Sequence, residues 1–165
     1  MCALKVAERS SRAMPLMLQV GRIRCPQLQE FSSVRSFWKD LGAPCMPEGA
    51  LLIPEAGMNG AFTPLEIRVF ELQESPPVRE IHPGNIVRMG FVHIRFVLDL
   101  QREGDPQVAG LDLADGYPNV FFVADMGKEL WRIEVAWKPS LNQWEFSPTI
   151  PMYDTIQTAG SRVFL

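Results

Sequence analysis

The sequence has little of what defines several large classes of protein. It contains three cysteines, Cys2, Cys25 and Cys45, and this small odd number excludes a disulfide scaffold. Its uninterrupted apolar runs are only a few residues long, too short for a transmembrane helix. A net charge of −3 argues against nucleic acid as the partner. What is left is an ordinary globular composition, with 47% hydrophobic and 21% charged residues.

The sequence also lacks the local motifs of common enzymes and metal sites. Its two histidines, His82 and His93, have no metal-ligand spacing, and the intervals of 23 and 20 residues between the cysteines match no zinc pattern. A phosphate-binding loop, a dinucleotide fingerprint and a G-x-S-x-G motif are missing. We therefore predict no cofactor and no metal ion. Calcium stays open as an alternative, with loop acids as ligands: Asp99, Glu103 and Asp105 at one turn, and Asp112 and Asp115 at another.

Charge divides the 165 residues into two unequal parts. Residues 1–45 carry seven bases and three acids, a net charge of +4, whereas residues 46–165 carry a net charge of −7. The prolines are concentrated in the second part and the cysteines in the first. We predict a basic N-terminal segment at 1–45 and an acidic domain at 46–165. Opposite charges let the two parts attract each other, or let the basic part bind an acidic surface elsewhere.

The basic part contains two segments of different character. Residues 1–24 are basic and contain one acid, which is typical of a cleaved organellar presequence. The alternative is a tail or a first strand, because Leu16, Leu18 and Val20 alternate along the chain. Residues 27–41 have apolar side chains at helical spacing and predict an amphipathic helix. This helix either covers the domain or binds a partner through Phe31, Phe37 and Trp38. The cytoplasm is the favoured compartment, with an organellar destination left open.

The acidic part has the two-residue period of β-strands. Proline and glycine turns separate the predicted strands, at 65–72, 86–101, 108–113, 119–124, 129–138, 143–147 and 161–165. About seven strands with short loops predict an all-β fold, an antiparallel β-sandwich or flattened barrel, preceded by one helix. The alternation changes parity in the first of these strands, which predicts a bulge near Val69 and Phe70.

Two groups of side chains are candidates for a ligand site. In the predicted strand 86–101, His93 and Arg95 share one face, so His93 is the candidate general base of a small enzyme. Aromatic residues crowd the segment 117–146, and exposed rings with nearby acids hold sugars in many β-sandwiches. The candidate glycan-binding residues are Tyr117, Trp131, Trp137 and Trp144.

The leading functional hypothesis is a non-catalytic one. The apolar pentapeptide at 161–165 is strand-like, and Val163, Phe164 and Leu165 could add to the sheet edge of a partner. Three features predict a protein-interaction or assembly module, either a structural subunit or an adaptor. Catalytic motifs are missing, the two parts of the chain have opposite charge, and both ends of the chain could contact other proteins. Its expected partners are other protein chains or further copies of itself, without nucleic acid or a membrane span. The alternatives are a carbohydrate-binding sandwich and the small enzyme with His93.

Overall fold

A computed structural model describes residues 16–28, 65–81, 89–108, 116–124, 130–149 and 153–165. These residues form mostly β-sheet with few helices. The strands are β1 (Met17–Cys25), β2 (Leu65–Leu72), β3 (Asn119–Ala124), β4 (Leu130–Lys138), β5 (Gln143–Thr149) and β6 (Arg162–Phe164). The helices are α1 (Val78–Ile81), α2 (Phe91–Glu103) and a 3-10 helix at Pro106–Val108.

The six strands form one open mixed sheet, in the order β1-β2-β6-β3-β4-β5. Its β3–β4–β5 portion is an antiparallel meander formed by the strands predicted at 119–124, 129–138 and 143–147, and a turn at 139–142 joins β4 to β5. Strand β6 pairs antiparallel with β2 on one side and parallel with β3 on the other. The purely antiparallel prediction is therefore wrong, and a second sheet does not occur among the described strands.

Strand β1 confirms the alternative that the region around residues 16–20 is a first strand. It pairs antiparallel with β2, and Ile23 is fully buried. The register shifts between Gln19 and Gly21, so Val20 is an extra residue opposite Val69 and Phe70. The predicted irregularity at that point thus lies on the partner strand. A presequence that ended at residue 24 would remove most of this strand.

The segment predicted as the clearest strand is instead the helix α2. Its apolar residues fit a period of two, but Phe91, Ile94 and Leu98 also fit the helical spacing that buries them. Glycines bound the helix. Gly90 is the extended N-cap, and Gly104 ends the helix at a φ of 70°. Thirteen residues between two such signals favour a helix over a strand.

The sheet buries a face on each side. Helix α2 packs on one face, in a cluster with buried residues of every strand, and there the rings of Phe121 and Phe164 stack with centroids 4.6 Å apart. The other face carries a smaller cluster that includes Val120, Phe122 and Val163, together with Val78 and Ile81 of α1. Because both faces are covered near the centre, the central strands are apolar on both sides.

Some sequence predictions fall outside the described residues. These are the amphipathic helix over most of 27–41, the composition boundary near residue 45, the hairpin loop at 125–128, and most of the predicted strand 108–113. Val108, the first residue of that last strand, belongs to the 3-10 helix. The two-part division of the chain stays a prediction.

Candidate functional site

The predicted catalytic pair is not brought together by the fold. His93 is fully buried in the first turn of α2, where its Nδ1 accepts a hydrogen bond of 3.0 Å from the backbone N–H of Gly90. Arg95, two residues on, points elsewhere because such residues are about 200° apart around a helix. Its Nε donates to Asp99 at 2.6 Å. His93 therefore has a structural role at the helix N-terminus, which argues against a general base in an open cleft.

The four candidate glycan-binding aromatics do not form one platform. Trp131 and Trp144 are buried in the core under α2, and Trp137 packs against that core and contacts Trp144 edge-to-face with centroids 5.1 Å apart. Tyr117 is exposed, and its ring lies against Gly160. A sugar ring needs an exposed flat surface, and of these four residues Tyr117 alone is exposed.

The candidate calcium ligands have other partners. Asp99 accepts hydrogen bonds from Arg95 and Arg102, and Asp105 caps the 3-10 helix by accepting from the backbone N–H of Gln107 at 2.8 Å. No group of three ligand-type side chains comes together in the part of the chain that the structure describes. Asp112 and Asp115 lie outside that part.

The candidate partner-binding residues at the C-terminal end are in the sheet centre. Val163 and Phe164 are fully buried, and β6 is hydrogen-bonded to a strand on each side. Both edges of β6 are thus occupied, as in an ordinary last strand, and addition of Val163, Phe164 and Leu165 to a partner's sheet stays a prediction. Phe31, Phe37 and Trp38 lie outside the described residues.

A different surface has the properties of a contact site. Strand β1 is one of the two edge strands, with a strand neighbour on one side only among the described strands. Leu18 is 50% exposed and Val20 is 40% exposed. Within the described part of the sheet, β1 is the strand that exposes large apolar side chains. Exposed apolar groups beside an open edge are a typical binding surface for another strand.

Three exposed arginines accompany this edge on the face opposite α2. Arg22 lies directly across from Arg68 in the β1–β2 register, and Arg24 lies across from Glu66. Like charges directly opposite each other destabilise an antiparallel pair. The ion pairs of the described residues give these arginines one acidic partner, Glu66, at 3.7 Å from Arg22. We call the edge formed by Leu18, Val20, Arg22, Arg24 and Arg68 the β1 surface. The register places Leu18, which lies across from Glu71, on the α2 face and the three arginines on the opposite face.

The neighbours of the β1 surface fix its geometry. The Arg68 guanidinium lies 5.7 Å from the centroid of the half-buried Phe70 ring, a cation–π contact that holds the side chain over the sheet. The backbone N–H of Arg24 points away from β2 and donates to the side-chain oxygen of Gln107 at 2.9 Å. Gln107 lies in the 3-10 helix, which packs against β1, and its exposed side chain covers this edge donor. The edge is protected here by a side chain rather than by a strand.

The one free cysteine among the described residues has no reactive character. Cys25 is buried beside Leu65, and desolvation raises the pKa of its thiol from 9.0 to about 12. The thiol is therefore neutral across the physiological range and a poor nucleophile. Its place is in the core under α2.

Sequence reasoning missed the β1 surface, although one signal for it was present. The excess of bases in residues 1–45 was recognised, but not that Arg22 and Arg24 alternate with the buried Ile23 and Cys25. That alternation is the pattern of a strand with one basic face. The contribution of Arg68 depends on the β1–β2 pairing, which local sequence does not reveal.

Comparison with known proteins finds no match to a protein family, to a curated protein or to a solved structure. The residues of this chain are therefore the basis for inferring its function. None of the helices in the described ranges is long and apolar enough to cross a membrane.

Proposed function

We propose that the chain is a non-catalytic protein-interaction module, a structural subunit or an adaptor, that binds its partner through the β1 surface. The observation that carries the proposal is an edge strand with exposed Leu18 and Val20, in a sheet whose other described strands have buried or half-buried large apolar side chains. A partner strand at this edge would satisfy open backbone groups and cover those side chains.

The remaining candidate sites favour this surface by elimination. His93 is buried and caps a helix, and two of the four candidate aromatics are buried in the core. Neither the enzyme nor the carbohydrate-binding alternative has an observation of its own in its favour. The interaction proposal has one.

Selection of displayed random peptides against the full chain tests the proposal. We expect enriched peptides that bind the double variant Leu18→Ser/Val20→Ser about tenfold more weakly than the parent, because two apolar side chains would lose their newly buried area. The matched control is Leu141→Ser/Ile156→Ser, since Leu141 and Ile156 are exposed apolar residues outside β1. This control should bind like the parent. Failure to enrich any peptide, or equal loss in both double variants, would contradict the proposal.

A further inference from the structure

We infer that the partner of the β1 surface is an extended acidic segment, with acidic side chains at every second position, that pairs with β1 as an added strand. This inference rests on the proposed function and names the chemistry of its partner. It follows from two independent features of the surface: where its charges lie, and which backbone groups its edge presents.

The charges call for an acidic partner. Arg22 and Arg68 face each other directly across the two strands, and Glu66 is their one acidic neighbour in the described ion pairs. Among the described residues, three guanidinium groups on this surface stand against one carboxylate, which is an excess of positive charge. A carboxylate placed beside Arg22 and Arg68 would relieve the repulsion between them and form charge-assisted hydrogen bonds.

The spacing calls for an extended partner. Arg22 and Arg24 are two residues apart on one strand and project from the same face, so their side chains repeat at roughly 6.6 Å. Acidic residues at alternate positions of an added strand have the same repeat and the same face. A helix can place acidic residues four apart at a similar spacing, but its backbone hydrogen bonds are used internally, so it cannot also pair with the outward N–H groups of β1.

The backbone is accessible to such a strand. The N–H of Arg24 points outward, and the antiparallel pattern of alternation gives the N–H of Arg22 the same direction. The side-chain oxygen of Gln107 accepts from the Arg24 N–H and stands where the carbonyl of an added strand would stand. Gln107 is exposed, so its side chain can move away when a strand binds. It therefore competes with the partner for one hydrogen bond.

The same charges disfavour a second copy of this chain as the partner. Antiparallel pairing of two β1 edges would bring the three arginines of each copy onto one continuous face. Like charges across such a junction repel each other, so edge-to-edge dimers are discouraged. The arginines therefore disfavour pairing between two copies of β1 and favour pairing with an acidic strand.

Titration of designed decapeptides into the full chain tests the inference. In the acidic peptide Glu alternates with Val, and Gln or Lys replaces Glu in the neutral and basic peptides. We expect the acidic peptide to bind at least about tenfold more tightly than the neutral one, and the basic peptide not to bind. Arg68→Ala should weaken binding of the acidic peptide and leave binding of the neutral peptide unchanged. Lys138→Ala, which removes a positive charge four strands away, should change neither affinity.

Variants at Arg24 and Gln107 separate strand addition from a simple charge effect. Arg24→Pro and Arg24→Ala lose the same charge, but only proline removes the outward N–H, so Arg24→Pro should bind the acidic peptide more weakly than Arg24→Ala. Gln107→Ala removes the competing acceptor and should tighten binding by about two- to tenfold. If Arg24→Pro fails to fold, Gln107→Ala still tests strand addition, and unchanged binding of the acidic peptide would contradict it.

Each contrary result identifies which statement fails. Equal binding of acidic and neutral peptides at the β1 surface would overturn the acidic partner and leave the interaction module standing. If Arg24→Pro matches Arg24→Ala and single-stranded DNA binds as tightly as the acidic peptide, the surface is a general polyanion site and the inference is wrong. If no peptide binds and display selection enriches none, both proposals fail.

Discussion

At the scale of single residues, Gly160 is held in a conformation that other residues rarely adopt. Its φ is +85°, and a Cβ at this position would lie 2.5 Å from the Tyr117 ring. Gly104 has a φ of +70° but open space around it. We expect Gly104→Ala to cost about 1–2 kcal/mol through its backbone alone. Gly160→Ala should lower the free energy of unfolding, measured in urea, by more than Gly104→Ala does. Equal losses in the two variants would contradict a steric clash with the Tyr117 ring.

Tyr117→Ala provides the control for the clash at Gly160. In the Tyr117→Ala background the ring is gone, so Gly160→Ala should cost only what Gly104→Ala costs. A double-mutant cycle on Gly160 and Tyr117 measures this difference directly. No coupling between the two positions would mean that the ring moves aside without cost.

Cys25 carries a pH prediction at the same scale. Its thiol ionises at 9.0 in its ordinary state and at about 12 in the folded chain, because burial disfavours the thiolate. The unfolded chain therefore loses this proton first as the pH rises. Stability is unaffected by Cys25 below pH 9 and falls between pH 9 and 12. Cys25→Ser should flatten this part of the stability–pH curve, and an unchanged slope would contradict the assignment.

The candidate site was predictable from sequence only in part, for reasons visible in single residues. Arg22 and Arg24 could be read from alternation with buried neighbours, but Arg68 joins them through a pairing between distant parts of the chain. The candidate glycan-binding residues Trp131 and Trp144 are core residues, because the packing of α2 on the sheet buries them. His93 was misplaced because the period of its segment was misread.

At the scale of elements, a buried pair of amides joins α2 to the sheet. Gln101 of α2 and Asn119 of β3 exchange two hydrogen bonds, of 3.1 and 2.9 Å, and both residues are buried. Gln101→Leu leaves the Asn119 amide without this partner and should cost about 1–3 kcal/mol. Replacing both residues by Leu should cost less than the sum of the single changes. Additive losses in thermal unfolding would show that the amides act independently.

Local sequence patterns identified the strands whose apolar residues fit the two-residue period of a β-strand and no other. The hairpin of β3 and β4 and the following strand β5 were predicted within a few residues, because alternation and a proline turn agree there. Helix α2 was missed because its dense apolar residues satisfy both periods at once. Length and the bounding glycines Gly90 and Gly104 were the signals that could have decided between them.

At the scale of the whole molecule, β6 joins the two halves of the sheet. Strand β2 pairs with β6 and β6 pairs with β3, so among the described strands β6 alone links β1–β2 to β3–β4–β5. Removing residues 161–165 should abolish cooperative thermal unfolding. Phe164→Ala should keep the fold but cost about 3–5 kcal/mol, since Phe164 is fully buried. Leu141→Ala, at an exposed turn, should cost less than about 0.5 kcal/mol.

A cooperative transition in the chain that lacks residues 161–165 would contradict this role of β6. The sequence predicted a strand here but not its neighbours. Pairing between residues about 90 positions apart, such as Phe70 with Val163, depends on the assembled core rather than on local pattern. This is why a mixed sheet was mistaken for an antiparallel sandwich.

The most direct test of the β1 surface is amide hydrogen exchange, residue by residue, with and without the acidic decapeptide. An added strand would protect the outward N–H groups of Arg22 and Arg24 and leave that of Ile23, which points into the sheet, unchanged. We predict this alternating protection along β1. Equal protection of consecutive residues, or protection confined to another part of the sheet, would contradict strand addition at β1.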